Sequence, residues 1–150
     1  MTTPDLITAD LVDLGLDATD KHGATRALAE RLVSAGRVTD LEEFLKDVAA
    51  REEQMATGLE GGIGIPHCRS AAVTAPTLAF GRSDAGVDFG APDGPAKLIF
   101  LIAAPEGGGS EHLKVLAALA RRLVRAEFKQ NLLDAADPAA VAEYIRQEVA

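Results

Sequence analysis

The ten residues GGIGIPHCRS, 61 to 70, gather three glycines, a proline, a histidine, a cysteine and an arginine. His67 follows Pro66, whose ring restricts the backbone at that point. A neutral imidazole has one nitrogen that donates a hydrogen bond and one with a free lone pair. If an acceptor fixes the first, the second is set up as a nucleophile. Glycines let the main chain approach an anion closely and turn N–H groups toward it. That combination suits a histidine that carries a phosphoryl group. A histidine bonded into a tight loop for purely structural reasons fits the same spacing equally well.

His112, in GGGSEHLKVL, is the second candidate. It falls in the first turn of an expected helix, where free N–H groups and the helix dipole favour a bound anion. Taken alone, it reads equally as a solvated residue at a helix start. Arg51 and Arg69 carry the planar guanidinium that matches phosphate oxygens in a bidentate fork, although most arginines simply face solvent. Cys68 cannot pair with His67 as a thiol–imidazole dyad, because neighbours in an extended segment point opposite ways; a buried thiol is the plain reading. A zinc site from His67, Cys68 and His112 lacks further ligands and any recognised spacing. EGGGS lacks the Lys-Ser/Thr of a phosphate-binding Walker loop, and His22, beside Lys21, reads as solvated surface.

The composition limits what these residues can serve. The chain has 150 residues, 47% hydrophobic and 25% charged, enough for one domain over 1–150 with a substantial core. Aromatics are 4% and tryptophan is absent, so Ala, Leu, Val and Ile must fill that core. A net charge of −8 argues against a nucleic-acid binder. A single cysteine precludes an intrachain disulfide and fits a reducing compartment. No apolar run is long enough to span a bilayer, and MTTPDLITADLVD lacks a signal-peptide pattern. A cytoplasmic protein without membrane insertion, metal or cofactor is expected.

The elements that must position the site can be placed in turn. LVDLGL (11–16) reads as a short strand, and a helix follows from about Lys21 to Ala35, with Thr19 or Asp20 to cap it, Ala24, Leu28 and Leu32 inward and Gly36 at its end. Thr39 and Glu42 match a capping box opening a second helix, whose stripe is Leu41, Phe44, Leu45 and Val48. After the glycine-rich stretch, TLAFGRS (77–83) and GVDFG (86–90) read as two strands joined by a turn. KLIFLIAAP (97–105) suits a central strand buried on both faces. Ser110 can cap a helix from Glu111 to about Arg125 with Leu113, Leu116, Ala117, Ala120 and Val124 inward. A short helix covers EFKQNLLDAA, and Asp137-Pro138 opens the last one. One mixed sheet with helices on both faces, an α/β three-layer sandwich, buries these stripes best.

The block REEQMATGLEGGIGIPHC, followed in order by the apolar strand and by EHLKVL, resembles the EIIA component, fructose/mannitol class, of the bacterial phosphoenolpyruvate:sugar phosphotransferase system. The likeness covers nearly the whole chain. It implies the mixed-sheet sandwich and a transferase role: a phosphoryl group passes from phosphohistidine HPr to an EIIA histidine. It then moves to a cysteine of EIIB and on to the sugar carried by EIIC in the membrane. By this resemblance His67 is the phosphorylated histidine, His112 helps bind the phosphoryl group and Arg51 supports the site. Amides around Gly61, Gly62, Ile63 and Gly64 would serve the phosphate, with Arg69 as a further ligand. The acidic residue that mannitol-type members carry six positions before the histidine corresponds to Gly61, with Glu60 beside it. An apolar rim of Leu59, Ile63 and Ile65 would limit hydrolysis and dock the partners. Fructose is the expected sugar. A nitrogen-related regulatory EIIA and a non-catalytic adaptor with the same fold are the alternative readings.

Overall fold

The computed structural model describes residues 5–54, 56–107 and 111–149, with the side chains of Glu111 and His112 left aside. After a 3-10 turn at Ala9–Leu11, the chain runs through β1 (Val12–Asp13), α1 (Lys21–Ser34) and α2 (Leu41–Gln54). Three short strands follow, β2 (Gly58–Leu59), β3 (Ile63–Gly64) and β4 (His67–Ser70), then the long β5 (Thr77–Val87) and β6 (Ala96–Pro105). The chain closes with α3 (Glu111–Leu123), α4 (Ala126–Asp134) and α5 (Pro138–Val149). The six strands form one sheet in the order β1-β5-β6-β3-β2, with β4 also on β6. The pairing is mixed: β5 is antiparallel to β6, while β1 on β5 and β3 and β4 on β6 are parallel. α1 and α2 pack together, α1 against β5 and α2 against β4, while α3 packs with α4, α5 and β6. The expected three-layer sandwich is therefore present.

β6 is the spine of the sheet. Leu98, Ile99, Phe100, Leu101 and Ile102 are all buried, as a strand covered by helices on both faces requires. The ring of Phe100 meets that of its cross-strand partner Phe80 at 5.0 Å between centroids. β3 and β4 share one edge of β6 end to end, Ile63 opposite Leu98 and His67 opposite Ile102.

Several local expectations hold for the reasons given. Asp20 caps α1, its Oδ1 accepting from Gly23 N at 2.7 Å, and Ala24, Leu28 and Leu32 are fully buried. Gly36 ends that helix at φ +75°, and Asp137 caps α5, accepting from Ala139 N at 3.1 Å with Pro138 first in the helix. Four local expectations are corrected. The opening strand is only Val12–Asp13, preceded by the 3-10 turn. α2 is capped by Asp40, whose Oδ1 accepts from Glu43 N at 3.1 Å. Thr39 is instead committed to Ala72, donating to its carbonyl from both N and Oγ1. The two strands expected over 77–90 are one, β5, with a register shift between Arg82 and Val87 where Gly86 adopts φ +85°. The expected turn is thus a bulge, and the chain leaves the sheet before Phe89.

The fourth correction concerns α3. Leu113 and Val124 are 54% and 84% exposed, and Ala117 and Ala120 are exposed too. The inward stripe is Val115, Leu119 and Leu123, with Leu116 partly covered. HLKVLAALARRLV is apolar almost all round, so its period admits two stripes. Packing selects one: Arg122 Nε donates to Glu148 O at 2.8 Å and holds α3 against α5. Ser110, the expected cap of α3, lies outside the described residues. None of the described helices is long and apolar enough to cross a membrane.

Candidate functional site

β4 opens with His67. Along it burial alternates, with His67 half-buried, Cys68 buried, Arg69 exposed and Ser70 buried. The pleat thus turns Cys68 and Ser70 toward α2 and His67 and Arg69 the other way. Asp47 of α2 fixes the first face: Ser70 Oγ donates to its Oδ2 at 2.6 Å and accepts from Ala72 N at 3.2 Å. Burial, and then the Asp47 charge, push the Cys68 thiol up to about 12. A thiol held protonated this way is no nucleophile near neutral pH.

His67 is oriented by its own backbone. Nδ1 lies 2.8 Å from the carbonyl oxygen of Ile65. A carbonyl only accepts, so Nδ1 carries the hydrogen and the lone pair resides on Nε2. The Ile65 carbonyl is itself held in series. Ile65 N donates to Thr57 O at 3.1 Å, and Thr57 is gripped by Glu52, whose Oε2 accepts from Thr57 N at 2.8 Å and Oε1 from Thr57 Oγ1 at 2.6 Å. Glu52 is a carboxylate only 9% exposed, near the C-terminal end of α2. A hydrogen-bonded line therefore runs from α2 through Glu52, Thr57 and Ile65 to the imidazole. Neither Glu52 nor Thr57 stands out by residue type within REEQMATG; a carboxylate five residues before a Thr-Gly, at a helix end, is the signal that marks them.

The glycines serve the turn and the sheet. Glu60, Gly61 and Gly62 join β2 to β3, with Gly61 at φ +94° and Gly62 at φ +81°. Gly61 N donates to Asp93 Oδ2 at 2.9 Å, and Gly62 O accepts from Lys97 N and Leu98 N. A Cβ at Gly64 would lie 2.7 Å from the Phe89 ring, and one at Gly58 would lie 2.6 Å from Ala91 N. Ile63, opposite Leu98, lies four residues along β6 from the partner of His67, roughly 13 Å at strand rise. Gly61 N and Gly62 O are thus already bonded at the turn and along β6, and Glu60 stays exposed on the turn. There is no apolar rim of the expected composition: Ile63 and Ile65 are core residues at 2% and 3% exposure, leaving Leu59 at the surface.

Arg69 shares the open face of β4 with His67, and its Nη2 donates to Glu106 O at 2.9 Å. Glu106 N in turn donates to Ser70 O at 3.1 Å. Arg69 thus ties the segment leading toward α3 to the end of β4. That helix starts at Glu111, so His112 is in its first turn, with its side chain outside the described residues. Arg51 is half-buried in the last turn of α2, one residue before Glu52. Among the described residues, no group of three His, Cys, Asp or Glu side chains is placed to hold a metal ion.

An imidazole with a free ring nitrogen on a strand edge, sharing its face with an arginine, can accept and release an electrophilic group such as phosphoryl. The family described as "Phosphoenolpyruvate-dependent sugar phosphotransferase system, EIIA 2" matches residues 5–148. The chain is 40% identical over 141 residues to a PTS system fructose-specific EIIA component of Haloferax volcanii, covering 93% of this chain and 92% of that one. Among solved structures, the nitrogen regulatory protein IIA-Ntr of Neisseria meningitidis superposes with a TM-score of 0.85 at 29% identity, over 93% of this chain and 96% of that one. The enzyme IIAMTL solved in complex with phosphorylated enzyme IIBMTL from Escherichia coli gives 0.79 at 26%, over 94% and 97%. The chain belongs to the EIIA type-2 family of the phosphoenolpyruvate-dependent sugar phosphotransferase system.

Proposed function

We propose that this protein is a phosphocarrier that takes a phosphoryl group from phospho-HPr on His67 and hands it to the cysteine of an EIIB partner, for sugar uptake through EIIC. It acts as one EIIA domain in the cytoplasm, with fructose as the sugar, on the strength of the fructose-specific relative. The observation that carries this reading is the 2.8 Å bond from His67 Nδ1 to Ile65 O, which leaves Nε2 as the attacking atom. In the first step a bond forms from Nε2 to phosphorus while the bond from phosphorus to the donor imidazole breaks, that nitrogen keeping the electron pair. The hydrogen stays on Nδ1, donated to the Ile65 carbonyl, so the phosphorylated ring has imidazolium character. That makes it a good leaving group when an EIIB thiolate attacks the phosphorus. Such transfer is mainly positioning and charge stabilisation; His112, Arg51 and Arg69 are the residues we assign to stabilise the phosphoryl oxygens. The exposed Leu113, in the first turn of α3, offers the partners an apolar contact at that helix start.

Incubation with phosphoenolpyruvate, EI and HPr tests the proposal. Acid-labile phosphate on the wild type and none on His67→Ala is the expected result; an unlabelled wild type with a matched HPr would sink it. The likeness to IIA-Ntr favours a second reading, a regulatory EIIA that receives phosphate but acts by binding other proteins. Onward transfer to a cognate EIIB distinguishes the two.

A further inference from the structure

Two carboxylates of α2 reach the strand that carries the candidate site. Glu52 leads through Thr57 and Ile65 to the His67 ring. Asp47, more than a turn earlier on the same helix, opens a second line, and this one ends on Arg69. Ser70 Oγ donates to Asp47 Oδ2 at 2.6 Å, which fixes Ser70, at 1% exposure, at the end of β4. The Ser70 carbonyl accepts from Glu106 N at 3.1 Å, pinning the residue that follows β6. The Glu106 carbonyl accepts from Arg69 Nη2 at 2.9 Å, one of the interactions Arg69 makes. Every link has ordinary hydrogen-bond length. Arg69 is exposed, so its pose is set by bonds and not by packing. A guanidinium is planar and rigid, so one bonded nitrogen restricts the direction of the whole fork. Held on its long stem, it has already given up much of the rotamer freedom that a bound anion would otherwise have to remove.

We propose that Asp47 is a positioning residue for phosphoryl transfer, setting the pose of Arg69 through Ser70 and Glu106. The inference rests on the reading of His67 as the phosphoryl acceptor and of Arg69 as a ligand of the phosphoryl oxygens. Asp47 itself touches neither the ring nor the phosphoryl group. It lies on the side of β4 that Cys68 and Ser70 face, away from His67 and Arg69. Its effect reaches the open face only along the bonded line. One helix thus orients the nucleophile by Glu52 and the cation beside it by Asp47.

A double-substitution cycle, read by the rate of phosphoryl acceptance from phospho-HPr, tests it. An unlabelled wild type sinks the phosphocarrier reading and this inference together; on a labelled wild type the remaining outcomes decide the inference alone. Asp47→Ala should lower kcat roughly threefold to tenfold and leave KM for phospho-HPr within about twofold. Arg69→Ala should lower kcat at least as much, and adding Asp47→Ala to it should cost no more than about a further twofold. Asp47→Asn, whose amide oxygen can still accept from Ser70, should restore most of the rate. Ser70→Ala breaks the line at its next link and keeps the test valid if Asp47→Ala folds poorly. An Asp47 that only holds the fold would lower the unfolding midpoint and leave kcat unchanged, or lower kcat by the same factor with Arg69 present or absent. Either result overturns the proposal, as does Arg69→Ala transferring at the wild-type rate.

Discussion

At the scale of single residues, the chemistry depends on how one ring is held. His67 faces Ile65 O, and Ile65 is held by Thr57, itself gripped by a buried carboxylate. Thr57→Val removes one of the two bonds to Glu52 and leaves a charged oxygen short of a donor. We expect a loss of about 1.5–3 kcal/mol in denaturant unfolding and slower phosphoryl acceptance. Unchanged acceptance with that stability loss would show that the line from α2 does not orient the imidazole. Cys68 gives a prediction with a definite sign. Its folded thiol is raised from an ordinary 9.0 to about 12, so the native state holds the proton more tightly than the unfolded chain. That contribution is complete below about pH 9 and is lost as pH rises toward about 12. Urea unfolding between pH 8 and 11 should therefore show a steeper alkaline decline in wild type than in Cys68→Ala. The candidate histidine was singled out by the family resemblance, since a His after Pro in a glycine-rich stretch by itself reads equally as a structural residue. The atom that fixes its tautomer was not, because a backbone carbonyl two residues away leaves no mark on residue types.

At the scale of elements, patterns were readable where the period allowed one answer. α1 has a single apolar stripe and a clear cap, and both appear as expected; KLIFLIAAP has no polar face and is the buried spine. α3 has two possible stripes, and only contact with β6 and α5 decides between them. Leu119→Ala should then cost about 2–5 kcal/mol, while Leu113→Ser should stay within about 0.5 kcal/mol, both by denaturant midpoint. The glycines were read as a phosphate cradle because flexibility and close packing look alike in sequence. Their measurable role is steric: Gly64→Ala sets a methyl 2.7 Å from Phe89 and should cost about 1–3 kcal/mol, with the midpoint falling accordingly. An equally stable Gly64→Ala would mean that Phe89 yields.

At the scale of the whole molecule, the proposed role combined with a donor that presents a basic patch would make association the salt-sensitive step, given the net charge of −8. The apparent second-order rate of phosphoryl acceptance from phospho-HPr should fall several-fold, by about 3–10, between low and physiological ionic strength, while the first-order transfer step changes little. The mixed topology was foreseeable from the consecutive short strands in the middle of the chain, which suggest hairpin pairing. That β3 and β4 would lie end to end along β6 was not, since neither is long enough to announce itself. This collinear edge has one consequence for how the chain can evolve. Odd and even positions there look out on different sides of the molecule, so the spacing from Ile63 to His67 is counted in twos. Deleting a single residue from it would exchange His67 for Cys68, burying the ring toward Asp47 and exposing the thiol, whereas removing a pair would restore the outlook but shift the ring along β6.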